Sequence, residues 1–215
     1  MGKRVSWRPI RGGKEQRPLN RDSGLWPPFD YTPAYFDVGP QGVELAQSID
    51  YWGHYPILDM EFVTSRPVEV GLRAFSPLLP GDAKASMLPG AVFDFSLRNP
   101  TKSAHRGTVA FSFPGFNATP SGAIGKVTRE LLSGDLQGVS VSTVAKGSAR
   151  EMAYVLASFD GDPIRHGGAL GTDAVAWKSI EKSLPSVEGD ASGATLALDF
   201  ELAAGASTTR RVVLS

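Results

Sequence analysis

Short runs of alternating apolar and polar residues constrain the fold of this chain more than any other feature of its sequence. In residues 91–98 (AVFDFSLR), apolar side chains occupy every second position. Comparable runs occur at 68–75, 109–113, 139–142, 152–159, 196–202 and 210–214. Because successive side chains of a strand point to opposite faces, each run gives a strand with an apolar face. Many such faces must be buried against a second layer, so the sequence predicts an all-β fold, an antiparallel β-sandwich of two packed sheets.

Helices have little room in this pattern. The 24 glycines and 16 prolines are scattered without a period, which favours turns and loops. One short surface helix is predicted, capped by Thr172 or Asp173 and stopped by Pro185. The apolar residues of this helix recur at near-helical spacing: Val175, Trp177, Ile180 and Leu184.

Two regions differ in composition. Residues 1–24 are polar and basic, and we interpret them as a lead-in that is solvated or only partly ordered; a basic tail that binds an anionic partner is the alternative. Residues 25–215 are assigned to the β-sandwich domain. Lysine and arginine together number 22, as do aspartate and glutamate, so an electrostatic surface for nucleic acid is not expected.

The size and composition also bear on location. A chain of 215 residues can bury a core without disulfides, and this one has no cysteine. No apolar run approaches the roughly 20 residues that span a bilayer, and the N-terminus does not resemble a secretory signal. We therefore expect a cytoplasmic protein, and the sequence leaves membrane association open.

A proline-rich loop joins two of the predicted strands. Ser76-Pro77 and Leu79-Pro80 each force an extended residue before the ring, and Pro80-Gly81-Asp82 favours a turn. The Asp82 carboxylate can accept backbone N–H bonds and close the loop. Because a stiff loop at the end of a sandwich suits docking against a neighbouring domain, we interpret this segment as an interdomain loop with five candidate residues: Phe75, Ser76, Pro77, Pro80 and Asp82.

Around this loop the sequence resembles a known family. The segments AFSPLLPGD at 74–82, SMLP at 86–89 and AVFDFSLRNP at 91–100 are similar to the N-terminal domain of non-lysosomal glucosylceramidases, also called bile-acid β-glucosidases. The resemblance is strongest over residues 55–100. It implies a non-catalytic β-sandwich from an enzyme that hydrolyses β-glucosides with retention.

The resemblance also implies a partner. In this family the two catalytic carboxyl groups lie in a C-terminal α-helical barrel domain, none of which can be identified in this sequence. We expect the sandwich to pack on that barrel and shape the approach to its active site. The chain alone is expected to be inactive and to meet a glycoside substrate only through the barrel.

Two other functions remain open. A free-standing carbohydrate-binding module would stack sugars on exposed aromatic residues, and the candidates are Trp26, Trp52 and Trp177. The same aromatic residues can instead pack onto a sheet, which is the commoner arrangement. A structural or adhesion sandwich without a ligand is the other alternative.

No catalytic or metal-binding motif stands out. His54, His105 and His166 lack the spacing of metal ligands, and Asp160 and Asp162 sit in a glycine–proline turn, where such residues commonly form the turn itself. We therefore assign no catalytic residue, no metal site and no cofactor from the sequence.

Overall fold

The structure is a computed structural model that describes residues 5–7, 43–44, 46–116, 124–145, 151–159, 161, 163–171, 173–189 and 191–215. Within these ranges the chain forms twelve strands and two short helices. The strands are β1 (Val5–Trp7), β2 (Ser48–His54), β3 (Ile57–Val63), β4 (Glu69–Phe75), β5 (Ala91–Arg98), β6 (His105–Phe113), β7 (Ile124–Leu132), β8 (Gln137–Ala145), β9 (Glu151–Ser158), β10 (Ile164–Gly167), β11 (Ala194–Leu202) and β12 (Ser207–Leu214). The helices are α1 (Ala83–Ser86) and α2 (Ala174–Ser179).

The strands form two antiparallel sheets. The larger sheet has nine strands in the order β1-β2-β3-β4-β5-β12-β9-β8-β7, and the smaller has three in the order β10-β11-β6. Strand β12 therefore lies inside the larger sheet, with β5 on one side and β9 on the other. This architecture confirms the predicted all-β antiparallel sandwich.

The core lies between the smaller sheet and the β5-to-β7 half of the larger one. Leu196 and Leu198 of β11 are almost completely buried and pack against apolar side chains of β8, β9 and β12. The rings of Phe93 and Phe111 bridge the two sheets with centroids 4.6 Å apart. The Tyr154 hydroxyl donates to the Ser192 carbonyl over 2.5 Å, and burial raises the pKa of this phenol to about 12. The apolar faces read from the sequence thus meet in one layer of side chains.

A buried asparagine holds together the end of the sandwich where β5 finishes. The Asn99 side chain, 0% exposed, donates to the carbonyls of Ser103, Leu202 and Ala203 at 2.8, 3.2 and 2.8 Å. Its Oδ1 accepts from the backbone N–H and the hydroxyl of Thr101. Asn99 therefore joins the β5–β6 crossover to the connection between β11 and β12, which lie in different sheets. This asparagine of segment 91–100 thus has a structural role.

The helices depart from the prediction in two respects. Asp173 caps α2 as expected, accepting from the backbone N–H of Val175 over 2.8 Å, whereas Thr172 lies outside the described residues. The helix ends at Ser179, and the chain turns before it reaches Leu184. Helix α1 was not predicted, because a single four-residue turn of helix is too short to show a periodic pattern.

The N-terminal lead-in falls almost wholly outside the described residues, so its predicted character stays a prediction. Val5–Trp7 pair with Ile49–Tyr51 as the edge strand of the larger sheet. Neither helix in the described ranges has the length and apolar character needed to span a bilayer.

Candidate functional site

The β4–β5 loop, residues 76–90, is fixed by its own hydrogen bonds. Asp82 caps α1 by accepting from the Ala85 N–H over 2.9 Å. The Ser86 hydroxyl accepts from the Leu79 N–H and donates to the Asp82 carbonyl, both over 2.8 Å. Gly81 takes a φ of 88°, a conformation that most other residues avoid. The loop is therefore internally bonded, as its proline and turn residues predicted.

Large apolar side chains on and beside this loop face solvent. Leu79 is 54% exposed, Met87 79% and Leu88 61%. Tyr55, 89% exposed, lies in the adjacent β2–β3 hairpin, which reaches the same end of the sheet because Ile57 pairs with Phe75. Single exposed apolar residues are normal on a protein surface, whereas large contiguous apolar patches are uncommon on monomers. We call this cluster the apolar loop patch: Tyr55, Leu78, Leu79, Met87 and Leu88.

The last residue of the chain lies at the base of the same loop. The Ser215 hydroxyl donates to the Pro89 carbonyl over 2.8 Å. Its backbone exchanges two hydrogen bonds with Val155 of β9, at 2.7 and 3.0 Å. The apolar loop patch and residue 215 therefore share one end of the larger sheet.

The predicted interdomain residues contribute unequally to this surface. Ser76, Pro80 and Asp82 are exposed, whereas Phe75 and Pro77 are half-buried at the foot of the loop. Tyr55, Met87 and Leu88 were not among the predicted residues, although Met87 and Leu88 belong to the segment SMLP that resembles the family. Tyr55 and Leu88 each precede a proline outside any alternating run, which was the available signal, whereas Met87 carries no such signal.

Of the predicted sugar-stacking tryptophans, Trp52 and Trp177 line two separate grooves. Trp26 lies outside the described residues. Trp52 lines a shallow groove on the outer face of the larger sheet, with Arg73 and Asp94 among its neighbours. Trp177 lies on α2, lines a different groove of about 590 Å³, and donates from Nε1 to the Gly171 carbonyl over 2.9 Å.

Five carboxylates of the described residues form ion pairs with arginines: Glu44, Asp59, Glu69, Asp94 and Asp199. Arg165 donates to both oxygens of Asp199, at 2.7 and 3.0 Å, and these bonds lower the pKa of the Asp199 carboxyl. A hydrogen bond from Arg98 likewise lowers the pKa of Glu69. The general acid of a glycosidase needs the opposite shift, a raised pKa. In the described ranges, no three His, Cys, Asp or Glu side chains come together as a metal site would require.

Replacing Asp82 with alanine is expected to destabilise the loop by about 1 kcal/mol, because the first turn of α1 loses its cap. Amide hydrogen exchange measured by NMR should show faster exchange at Ala85. Lys84→Ala, in the same helix but outside the capping bond, is the matched control and should leave that rate within about twofold of the original. Equal acceleration in both variants would contradict the assigned cap.

Comparisons with known proteins bear on identity. The model of one protein family, described as "beta-glucosidase 2, glycosyl-hydrolase family 116 N-term", matches residues 26–215. Among solved structures, a putative kojibiose phosphorylase from the human microbiome is similar, with a TM-score of 0.46 and 8% sequence identity. The match covers 78% of this chain but only 18% of that one. A search of curated proteins finds no match. Because the family match extends over most of the sequence, this chain belongs to the N-terminal domain family of glycosyl-hydrolase family 116.

Proposed function

We propose that this domain is a non-catalytic scaffold that docks on the α-helical barrel catalytic domain of a β-glucosidase. The observation that carries the proposal is the apolar loop patch, which exposes large side chains such as Met87 and Leu88 on a hydrogen-bonded loop. Family membership supplies the enzyme class, because the description of the family names a beta-glucosidase.

The construction of the loop suits it to docking. A loop that is already ordered loses little conformational entropy when a partner covers it, so more of the burial free energy contributes to affinity. Leucine, methionine and tyrosine side chains supply the apolar centre of such a contact, and polar Ser76 and Asp82 at its edge remain solvated.

The position of residue 215 fits the same arrangement. A catalytic domain joined after Ser215 would begin beside Pro89, at the foot of the loop. The docking surface and the connection would then lie on the same side of the sandwich. The scaffold would hold one wall of the approach to the glycoside site while the barrel supplies the catalytic carboxyl groups.

The experiment measures association with a separately purified catalytic barrel of the same family by calorimetry. The double variant Met87→Asp/Leu88→Asp should weaken binding roughly 100-fold, because charge is placed in the apolar centre of the contact. Leu131→Asp/Val144→Asp introduces the same charges at exposed apolar positions of β7 and β8 and should bind normally. Absence of binding by the original chain, or equal loss in both double variants, would contradict the proposal.

Activity provides a second measurement. The isolated chain should not hydrolyse an aryl β-glucoside, and the purified barrel should gain activity when the chain is added. Turnover by the chain alone that disappears on mutating one of its own carboxylates would contradict the non-catalytic assignment.

A further inference from the structure

A row of large polar and aromatic side chains crosses the outer face of the larger sheet. Strand register places Trp52, Asp59, Arg73, Asp94 and Arg211 side by side on β2, β3, β4, β5 and β12. At the usual spacing between strands the row is about 19 Å long. This face is turned away from the smaller sheet, because the residues that alternate with the row include the core residues Phe93 and Phe95.

A gap in the next row opens this surface into a groove. Gly71 has no side chain, and the Ser96 hydroxyl leans over it, 2.5 Å from the position that a β-carbon would take. The resulting groove has a volume of about 510 Å³. Trp52 lines one side, Asp94 and Thr209 line the other, and Ser96 contributes a hydroxyl group.

The arginine and aspartate side chains of the row are matched in pairs, and the exposed carboxylate of Glu61 also lines the groove. Arg73 donates to the two oxygens of Asp59 at 2.7 and 3.2 Å, and Arg211 donates to those of Asp94 at 2.6 and 2.8 Å. Each pair is bidentate, which restricts the orientation of its groups. The side chains of Asp59 and Asp94 are 27% and 17% exposed, whereas that of Arg73 is 58% exposed.

The paired charges and the indole ring of Trp52 together suit a neutral sugar better than an anion or an apolar partner. An anion would have to compete with carboxylates that the arginines already bind, and an apolar partner would bury charged groups at high cost. A neutral sugar avoids both costs: its hydroxyl groups can donate to the carboxylates and accept from the guanidinium groups, while its C–H face can lie on an indole ring. We propose that the groove beside Trp52 binds a neutral oligosaccharide, independently of the apolar loop patch.

The experiment titrates the full chain with cellotetraose and, separately, maltotetraose, and follows amide and indole signals by NMR. We expect saturable shifts at Trp52 and Gly71 with at least one of the two sugars. Trp52→Ala removes the stacking surface and should weaken binding about tenfold. Gly71→Val fills the groove and displaces the Ser96 hydroxyl, which lies 2.5 Å from the position of the new β-carbon. Valine suits a strand position, and this variant should weaken binding at least as much.

Trp177→Ala removes a tryptophan from the separate groove on α2 and is the matched control, expected to bind as the original chain does. The amide spectrum of each variant reports whether it is folded. If Trp52→Ala does not fold, the sugar binding of Gly71→Val tests the proposal. The proposal would be overturned if neither sugar, at a concentration of about 10 mM, produced saturable shifts. Undiminished binding by folded Gly71→Val would overturn it as well.

Discussion

Replacing Asn99 with aspartate is expected to destabilise the domain by about 4 kcal/mol. The substitution keeps the shape of the side chain but exchanges the Nδ2 donor for an oxygen that faces three backbone carbonyls. Those carbonyls lose a partner, and a negative charge is placed at a position with 0% exposure. Urea unfolding followed by tryptophan fluorescence measures the loss, which is a large part of the 5–15 kcal/mol typical of a domain.

The pH dependence of this variant distinguishes charge from packing. Burial raises the pKa of the introduced carboxyl above its unfolded value of about 3.9. Its folded form is therefore relatively more stable at low pH, and the deficit against the original chain should shrink as pH falls. Ser103→Ala, which removes only an exposed hydroxyl from the same crossover, should change stability by less than about 0.5 kcal/mol. A deficit independent of pH would show that the introduced carboxyl stays solvated, contrary to the contacts of Asn99.

Replacing Leu196 with alanine should cost about 3 kcal/mol, because the side chain is 0% exposed at the centre of the layer between the two sheets. The cavity would lie on the middle strand of the smaller sheet, which pairs with β6 on one side and β10 on the other. Urea unfolding again provides the measurement.

The matched control for this core substitution is Leu131→Ala, on edge strand β7, where the leucine is 64% exposed. Its expected cost is below about 0.5 kcal/mol. Similar losses for the two leucines would mean that the smaller sheet does not cover the core as described.

The sequence allowed the fold class to be predicted because strand periodicity is local. The alternating run at 91–98 became β5 and that at 196–202 became part of β11, since a two-residue period can be read from the chain without its neighbours. Strand order was beyond this reasoning. Nothing in the local pattern of β12 indicates that it lies between β5 and β9, because that choice depends on the competition among all strands for partners.

The candidate site was predictable to a similar degree. The positions of proline and glycine predicted an ordered β4–β5 loop. Asp82 was predicted to accept backbone N–H bonds, and it accepts one from Ala85. The exposure of Met87 depends instead on what surrounds it in three dimensions, and leucine or methionine in a sequence is more often buried than exposed. The groove beside Trp52 was likewise hidden, since it is formed by side chains from five separate strands.

The interior position of β12 in the larger sheet constrains the order in which the domain can fold. During synthesis on the ribosome, β5 and β9 lack their common neighbour until residues 207–214 have left the exit tunnel. The β2–β3–β4–β5 meander can form as it emerges, but the sandwich closes only afterwards. Until then the nascent chain carries two open strand edges, and open edges favour aggregation.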